Sequence, residues 1–337
     1  MDLAELTTLR LGGPAARLVE ARDEAGLVAA VRAAEPPLLV LAGGSNLVIA
    51  DEGFPGTVVR LATRGIERDG DRLTVAAGEP WDPLVAACVR DGLQGFECLS
   101  GIPGSVGATP IQNVGAYGQE VAETVETVRV LDRESDRVVD MPAAECGFRY
   151  RGSVFKYHDR RTVLSVTFRM REDRMSGPIR YAELARALDV PLGAAAPLAD
   201  VREAVLALRR RKGMVIDPDD PDTVSAGSFF TNPILDLEAF QALAERAGAS
   251  APPPAWPEPD GRIKTSAAWL IERAGFGRGY GNGRAGISSK HTLALVNRGG
   301  ATTAELISLA REIAAGVQDR FGVRLHPEPV LVGVDWG

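Results

Sequence analysis

Cysteine and histidine are scarce in this chain, three of each among 337 residues. Cys88, Cys98 and Cys146 cannot all pair, and their spacing fits no metal site, so neither a disulfide framework nor a bound metal is expected. Long apolar runs are missing and the N-terminal MDLAELTTLRLGG is no signal peptide. The expectation is a cytoplasmic protein without membrane insertion. Basic runs are almost absent too. Apart from Arg209, Arg210, Arg211 and Lys212, nothing offsets a net charge of -7, which argues against nucleic acid as the main partner. Hydrophobic residues at 45% and charged residues at 25% are ordinary globular values, so the length implies two or three domains rather than one small core.

Glycine, by contrast, is concentrated. Residues 101–118, GIPGSVGATPIQNVGAYG, hold Gly101, Gly104, Gly107, Gly115 and Gly118 with two prolines, which excludes a regular helix. Such a loop lets a ligand approach the main chain and can wrap a diphosphate in successive backbone N–H groups. An ordinary surface loop is the alternative. A second turn, Gly43-Gly44-Ser45-Asn46, separates two apolar runs in LLVLAGGSNLVIAD, residues 38–51, which read as strands. Neither loop has the G-x-G-x-x-G spacing of a dinucleotide Rossmann unit or the G-x-x-x-x-G-K-[ST] of a phosphate loop. A common nicotinamide or nucleoside-triphosphate fold is therefore disfavoured.

The first 170 residues are rich in short strands, with helices predicted over Asp23 to Glu35 and Pro80 to Asp91, the latter closed by Gly92. Cys88 shares the apolar face of that second helix with Leu84 and Val85 and reads as core filler. Strands are expected within Leu38 to Val59, Leu73 to Ala77, Val125 to Leu131, Val138 to Met141 and Thr162 to Arg171. Helices follow over Leu198 to Lys212, with Val201, Val205 and Leu208 on one face, over Leu237 to Ala247, and over Ser266 to Ala274. Prolines make Ser250 to Gly261 a loop. Thr302 to Phe321 has a capping-box pair, Thr302 and Glu305, and a buried stripe of Leu306, Ala310, Ile313, Val317 and Phe321. The terminal LHPEPVLVGVDW reads as a strand. The pattern is α+β without a regular βαβ rhythm.

The GGSN turn followed by GIPGSVGATPIQNVGAYG resembles the flavin-binding half of the UDP-N-acetylenolpyruvoylglucosamine reductases (UDP-N-acetylmuramate dehydrogenases). The resemblance implies an FAD-binding fold of the vanillyl-alcohol oxidase type, two α+β subdomains over residues 1–172 completed by a strand at 329–337. A C-terminal α+β substrate-binding domain would occupy 205–325. It implies FAD held by Gly43, Gly44, Ser45, Asn46 and Leu47 in the first turn. In the second loop Gly101, Ile102, Pro103, Gly104, Ser105, Gly107, Ala108, Gln112, Asn113, Gly115, Ala116, Tyr117 and Gly118 would take the same role.

Four further segments carry the likeness along nearly the whole chain. CGFRYRGSVFK places the family's Tyr-Arg pair at Tyr150 and Arg151, AGSFFTNP its serine at Ser228, and LHPEPVLVG its glutamate at Glu328. Read without the likeness, these would be a surface arginine, a strand-end hydroxyl and a solvated carboxylate. SSKHTLALVN puts His291 at a substrate-binding position, and Lys212 and Asn232 fall where the family contacts the diphosphate and uridine. Tyr181 in IRYAELARAL matches a tyrosine on a loop that closes over substrate, which suggests the loop-containing subtype.

The implied reaction is reduction of an enolpyruvyl ether by NADPH through FAD, in peptidoglycan precursor synthesis. Negative charge would develop on the substrate carboxylate, held by Arg151 and a protonated Glu328, and Ser228 would give the proton. No metal is needed, and a small-molecule substrate and a monomer are expected. Pro329, Gly152 and Thr231 depart from residues common in the family without removing a catalytic group. An FAD-dependent sugar or alcohol oxidase of the same superfamily is the alternative, or a non-catalytic UDP-sugar-binding protein. His158, His291 and His326 lie outside both glycine loops, which argues against a histidine-tethered flavin.

Overall fold

A computed structural model describes residues 1–248, 252–281 and 283–337, and the chain divides into two compact units. Ser250 and Ala251, at the start of the expected proline loop, lie outside the described residues.

The first unit comprises Ala15–Gly44 and Pro55–Val215. Its central element is a five-stranded sheet, in the order Arg137–Pro142, Val125–Asp132, Arg161–Arg169, Arg72–Ala76, Ile66–Asp69, with every neighbour antiparallel. Helix α1 (Glu24–Ala33) is capped by the Asp23 carboxylate and buries Leu27 and Val31. Helix α2 (Trp81–Asp91) buries Trp81, Leu84, Val85 and Cys88, and ends at a left-handed Gly92. Trp81, Phe96 and Phe168 meet at centroid separations of 4.8 to 6.1 Å and form the aromatic centre of this core. A short helix, α3 (Ala182–Ala187), which the sequence pattern did not announce, packs with α4 (Leu198–Arg211). The expected face Val201, Val205 and Leu208 is buried there against Ile179 and Leu184.

The strands flanking the GGSN turn do not pair with each other. Leu38–Leu41 pairs parallel with the strand Phe54–Leu61, and Leu47–Ile49 pairs parallel with Val330–Val332. The division of the chain falls inside the turn, leaving Gly43 and Gly44 in the first unit and Ser45–Leu47 in the second.

The second unit comprises Asp2–Pro14, Ser45–Phe54 and Ile216–Gly337. Residues 205–215, expected with the substrate-binding part, thus fall in the first unit, and 329–337 in the second. A three-stranded antiparallel sheet (Ser225–Ser228, Ala294–Asn297, Ala285–Ile287) lies beside α7 (Thr303–Phe321), with α5 (Leu237–Ala247) and α6 (Ala267–Arg273) around it. Helix α7 has the reciprocal Thr302–Glu305 cap and buries the whole stripe read from sequence. Of the expected C-terminal strand Val330–Val332 forms a regular strand pair, while Pro327 makes a single bridge to Phe230, since prolines at 327 and 329 have no N–H to give a ladder.

All three cysteines are buried, and burial pushes the thiols of Cys88 and Cys98 up to about 12 and that of Cys146 to about 11. Among the described residues no helix is long and apolar enough to cross a membrane.

Candidate active site

Within the first unit the two glycine-rich segments touch, backbone to backbone. A Cβ placed on Gly43 would lie 2.7 Å from Gly104 Cα, and Gly104 itself has φ +114, a conformation that favours glycine. The loop is pinned on both sides. Asp82 on α2 accepts the Gly101 N–H at 2.6 Å while its two oxygens take both terminal nitrogens of Arg202 at 2.7 and 2.9 Å. Gly107 donates to the Ala77 carbonyl, and Val106 to that of Glu79. Inside this frame the Ser105 hydroxyl is buried with no protein partner. A close-approach cradle and an orphaned buried donor fit an anionic group such as the FAD diphosphate.

Not every loop residue offers its side chain outward. Asn113 is 1% exposed. Its amide donates to Glu120 and to the Arg149 carbonyl and accepts the Ala122 N–H, so this side chain shapes the loop from within. Gly43→Ala is expected to force the two turns apart and yield protein purified with substoichiometric flavin, measured by absorbance and protein concentration. Full FAD occupancy in that variant would show that the turns do not form the cradle.

Arg151 reaches the same loop from another hairpin. Arg149 and Gly152 exchange backbone hydrogen bonds at 3.0 and 3.1 Å, leaving Tyr150 and Arg151 at the apex. Arg151 adopts φ +51, a left-handed conformation that costs a non-glycine residue roughly 1–2 kcal/mol. Lys156, buried, donates to the Arg151 carbonyl at 3.1 Å and braces that conformation. The guanidinium donates to the Gly115 carbonyl at 2.8 Å and lies 5.2 Å from the Tyr150 ring centroid. Lys156 was missed in the sequence, where a lysine ending a strand-like run gives no sign of burial.

Tyr117, Tyr181 and Lys212 also come together in this unit. The two rings meet edge-on at 5.4 Å, and Lys212 Nζ lies 5.7 Å from the Tyr117 centroid and 2.7 Å from Glu183. Burial pushes the Tyr117 hydroxyl up to about 12 and raises that of Tyr181, so both stay neutral hydrogen-bond donors near neutral pH.

In the second unit the backbone pairs the segment that follows Ser228 with the one that contains Glu328. Glu328 donates its N–H to the carbonyl of Phe229 at 2.8 Å, Phe230 bridges Pro327, and Thr231 donates to His326 at 3.1 Å. Phe229 and Phe230, buried against Trp336, anchor the segment. Ser228 closes its strand opposite Ala294, and the turn carrying His291 immediately precedes Ala294. Asn46 joins the group, accepting the Val330 N–H at 2.9 Å. Asn232 spends its side-chain oxygen on the Ala267 N–H at the start of α6. In one unit the segments carrying Ser228, Glu328 and Asn46 are thus linked through their backbones, and in the other Arg151 meets Gly115, and Tyr117 meets Tyr181 and Lys212.

Comparison with known proteins places the whole chain in one family. Residues 219–332 match the family described as UDP-N-acetylenolpyruvoylglucosamine reductase, C-terminal domain, and residues 15–141 match an FAD binding domain. A UDP-N-acetylenolpyruvoylglucosamine reductase of Thermobifida fusca is 59% identical over 346 residues, covering 99% of this chain and 97% of that protein. Its counterpart in Salinispora arenicola is 59% identical over 342 residues, covering 98% and 94%. The crystal structure of the reductase from Thermus caldophilus superimposes with a TM-score of 0.69 at 28% identity, over 98% of this chain and 97% of that one.

Proposed function

Because the chain belongs to the UDP-N-acetylenolpyruvoylglucosamine reductase family, we propose that it reduces UDP-N-acetylglucosamine enolpyruvate to UDP-N-acetylmuramate with NADPH. It is an FAD oxidoreductase of peptidoglycan precursor synthesis. What supports the reading most is the backbone hydrogen bond from Glu328 to Phe229, the residue after Ser228, which joins two segments about a hundred positions apart in the chain.

The Gly43–Asn46 turn and the loop from Gly101 to Gly118 would hold FAD, which when bound would supply the hydride chemistry that couples NADPH to the terminal vinyl carbon of the enolpyruvyl ether. The protein's part is to hold the charge that then develops on the substrate carboxylate and to return a proton. Arg151 grips the carboxylate through its planar fork, and Glu328, as the carboxylic acid, donates a second hydrogen bond to the enolate oxygen. Ser228 gives its hydroxyl proton to the carbon bearing the carboxylate, which completes the lactyl ether. Tyr181, Lys212, Asn232 and His291 hold the diphosphate and uridine, with Tyr150 beside the carboxylate. The FAD role of residues 1–172 with 329–337, and the substrate role of 205–325, belong to the same proposal.

UDP-sugars and NADPH are cytoplasmic, so the enzyme acts there. It works as a monomer, which light scattering at the mass of one chain checks. The reaction itself is tested by mixing NADPH-reduced enzyme anaerobically with the enolpyruvyl substrate. Flavin absorbance should return before oxygen is admitted. Absorbance that returns only on aeration would mark an oxidase instead.

A further inference from the structure

Among the aspartates Asp217, Asp219, Asp220 and Asp222, which share one proline-rich run, only Asp222 is buried. It is 9% exposed, and both its oxygens serve one neighbour: Oδ1 accepts the Ser289 N–H at 2.8 Å and Oδ2 accepts the Ser289 hydroxyl at 2.6 Å. Burial opposes its charge, but the hydrogen bonds from Ser289 and Ser288 outweigh burial and hold the carboxyl below its ordinary range. The segment presenting it is closed on itself. Asp220 accepts the Asp222 N–H at 3.1 Å, and the Thr223 hydroxyl is shared between the carbonyls of Asp217 and Asp220 at 2.9 and 2.8 Å.

Asp222 thereby grips the turn 288–293. Ser288 Oγ accepts the N–H groups of Lys290 and His291, and the Ser288 N–H donates to the Ala294 carbonyl at 2.8 Å. Glu272 of α6 holds the far end of the turn by accepting the buried Thr292 hydroxyl. Lys290 pairs with Asp220 at 2.6 Å. The turn passes this rigidity on to the next strand. Phe229 donates its N–H to the Leu293 carbonyl at 2.7 Å, and Ser228 registers on Ala294. Between Ser225 and Ser228 the ladder carries a register shift, and Gly227 takes φ +74. Such an irregularity loosens the link along the strand, so the edge formed by Leu293 and Ala294 does most to place Ser228.

We infer that Asp222 is a positioning residue for Ser228: by clamping the turn 288–293 it fixes the backbone edge on which that serine is set. It acts through Ser289 and leaves the proton transfer to the serine. The inference rests on the reading of Ser228 as proton donor.

The test follows the two half-reactions of the full-length, FAD-loaded enzyme by stopped-flow absorbance. Asp222→Ala is expected to slow flavin reoxidation by the enolpyruvyl substrate about ten- to a hundredfold, the scale of a displaced reacting group. Flavin reduction by NADPH should stay almost unchanged. Made in the Ser228→Ala background, the same substitution should add almost nothing, because the hydroxyl it places is already gone. Amide hydrogen exchange across 288–294 should quicken in Asp222→Ala. Asp222→Asn keeps one acceptor oxygen and should recover part of the rate. Ser289→Ala keeps the backbone bond and should show the same pattern at smaller size, which decides the matter if Asp222→Ala does not fold. Equal slowing by Asp222→Ala with and without Ser228 overturns the inference, since the carboxylate would then serve the fold or the substrate directly. So does unchanged exchange across 288–294, or a wild-type rate in both Asp222→Ala and Ser289→Ala. The proton-donor reading fails separately, if Ser228→Ala alone slows both half-reactions alike.

Discussion

Ser228→Ala is expected to slow reduction of the enolpyruvyl substrate by about two to four orders of magnitude, the usual contribution of a positioned general acid. Flavin reduction by NADPH should stay almost unchanged, because that half-reaction needs no proton on the substrate carbon. The substitution is clean on structural grounds. Ser228 ends a strand registered on Ala294, and the neighbouring Phe229 is buried and accepts the Glu328 N–H through its backbone. Alanine removes the hydroxyl and leaves every one of those contacts. Stopped-flow absorbance resolves the two half-reactions. Equal loss in both would mean the hydroxyl serves the flavin and is not the proton source.

Arg151→Lys is expected to cost about a hundred- to a thousandfold in kcat, comparable to removing a donor aimed at developing negative charge. Lysine can adopt the same left-handed backbone at the same cost, so the hairpin between Arg149 and Gly152 should survive. The difference is in reach and geometry. The arginine fork can keep its bond to the Gly115 carbonyl at 2.8 Å and still present parallel N–H groups to a carboxylate. An ammonium is a single point that must choose between them. Turnover near the wild-type rate in Arg151→Lys would assign the arginine to holding the loop and nothing more.

Local pattern carried the helices a long way. The cap and stripe of α7, the apolar face of α4 and the Gly92 stop after α2 are each written in neighbouring residues, and each is found as read. Longer-range choices were not legible. The apolar runs around GGSN read as strands, but their partners lie nineteen and nearly three hundred residues away, because pairing depends on which segments the rest of the chain brings alongside. The strand Ala15–Ala21 escaped notice for a related reason. Its residues alternate little and are mostly half-exposed, so it gives no strong period. At the site, sequence likeness named the polar residues, whereas the brace from Lys156 and the internal duty of Asn113 depend on burial that no short window displays.

The thiols sealed inside the fold have a bearing on how a flavoprotein survives its own chemistry. A reduced flavin exposed to air generates peroxide, and peroxide attacks the sulfur anion rather than the protonated form. With the ionisation of Cys88, Cys98 and Cys146 driven so far toward alkali, almost no such anion exists near neutrality. Stray oxidant made at the cofactor thus meets no ready thiolate in the surrounding polypeptide.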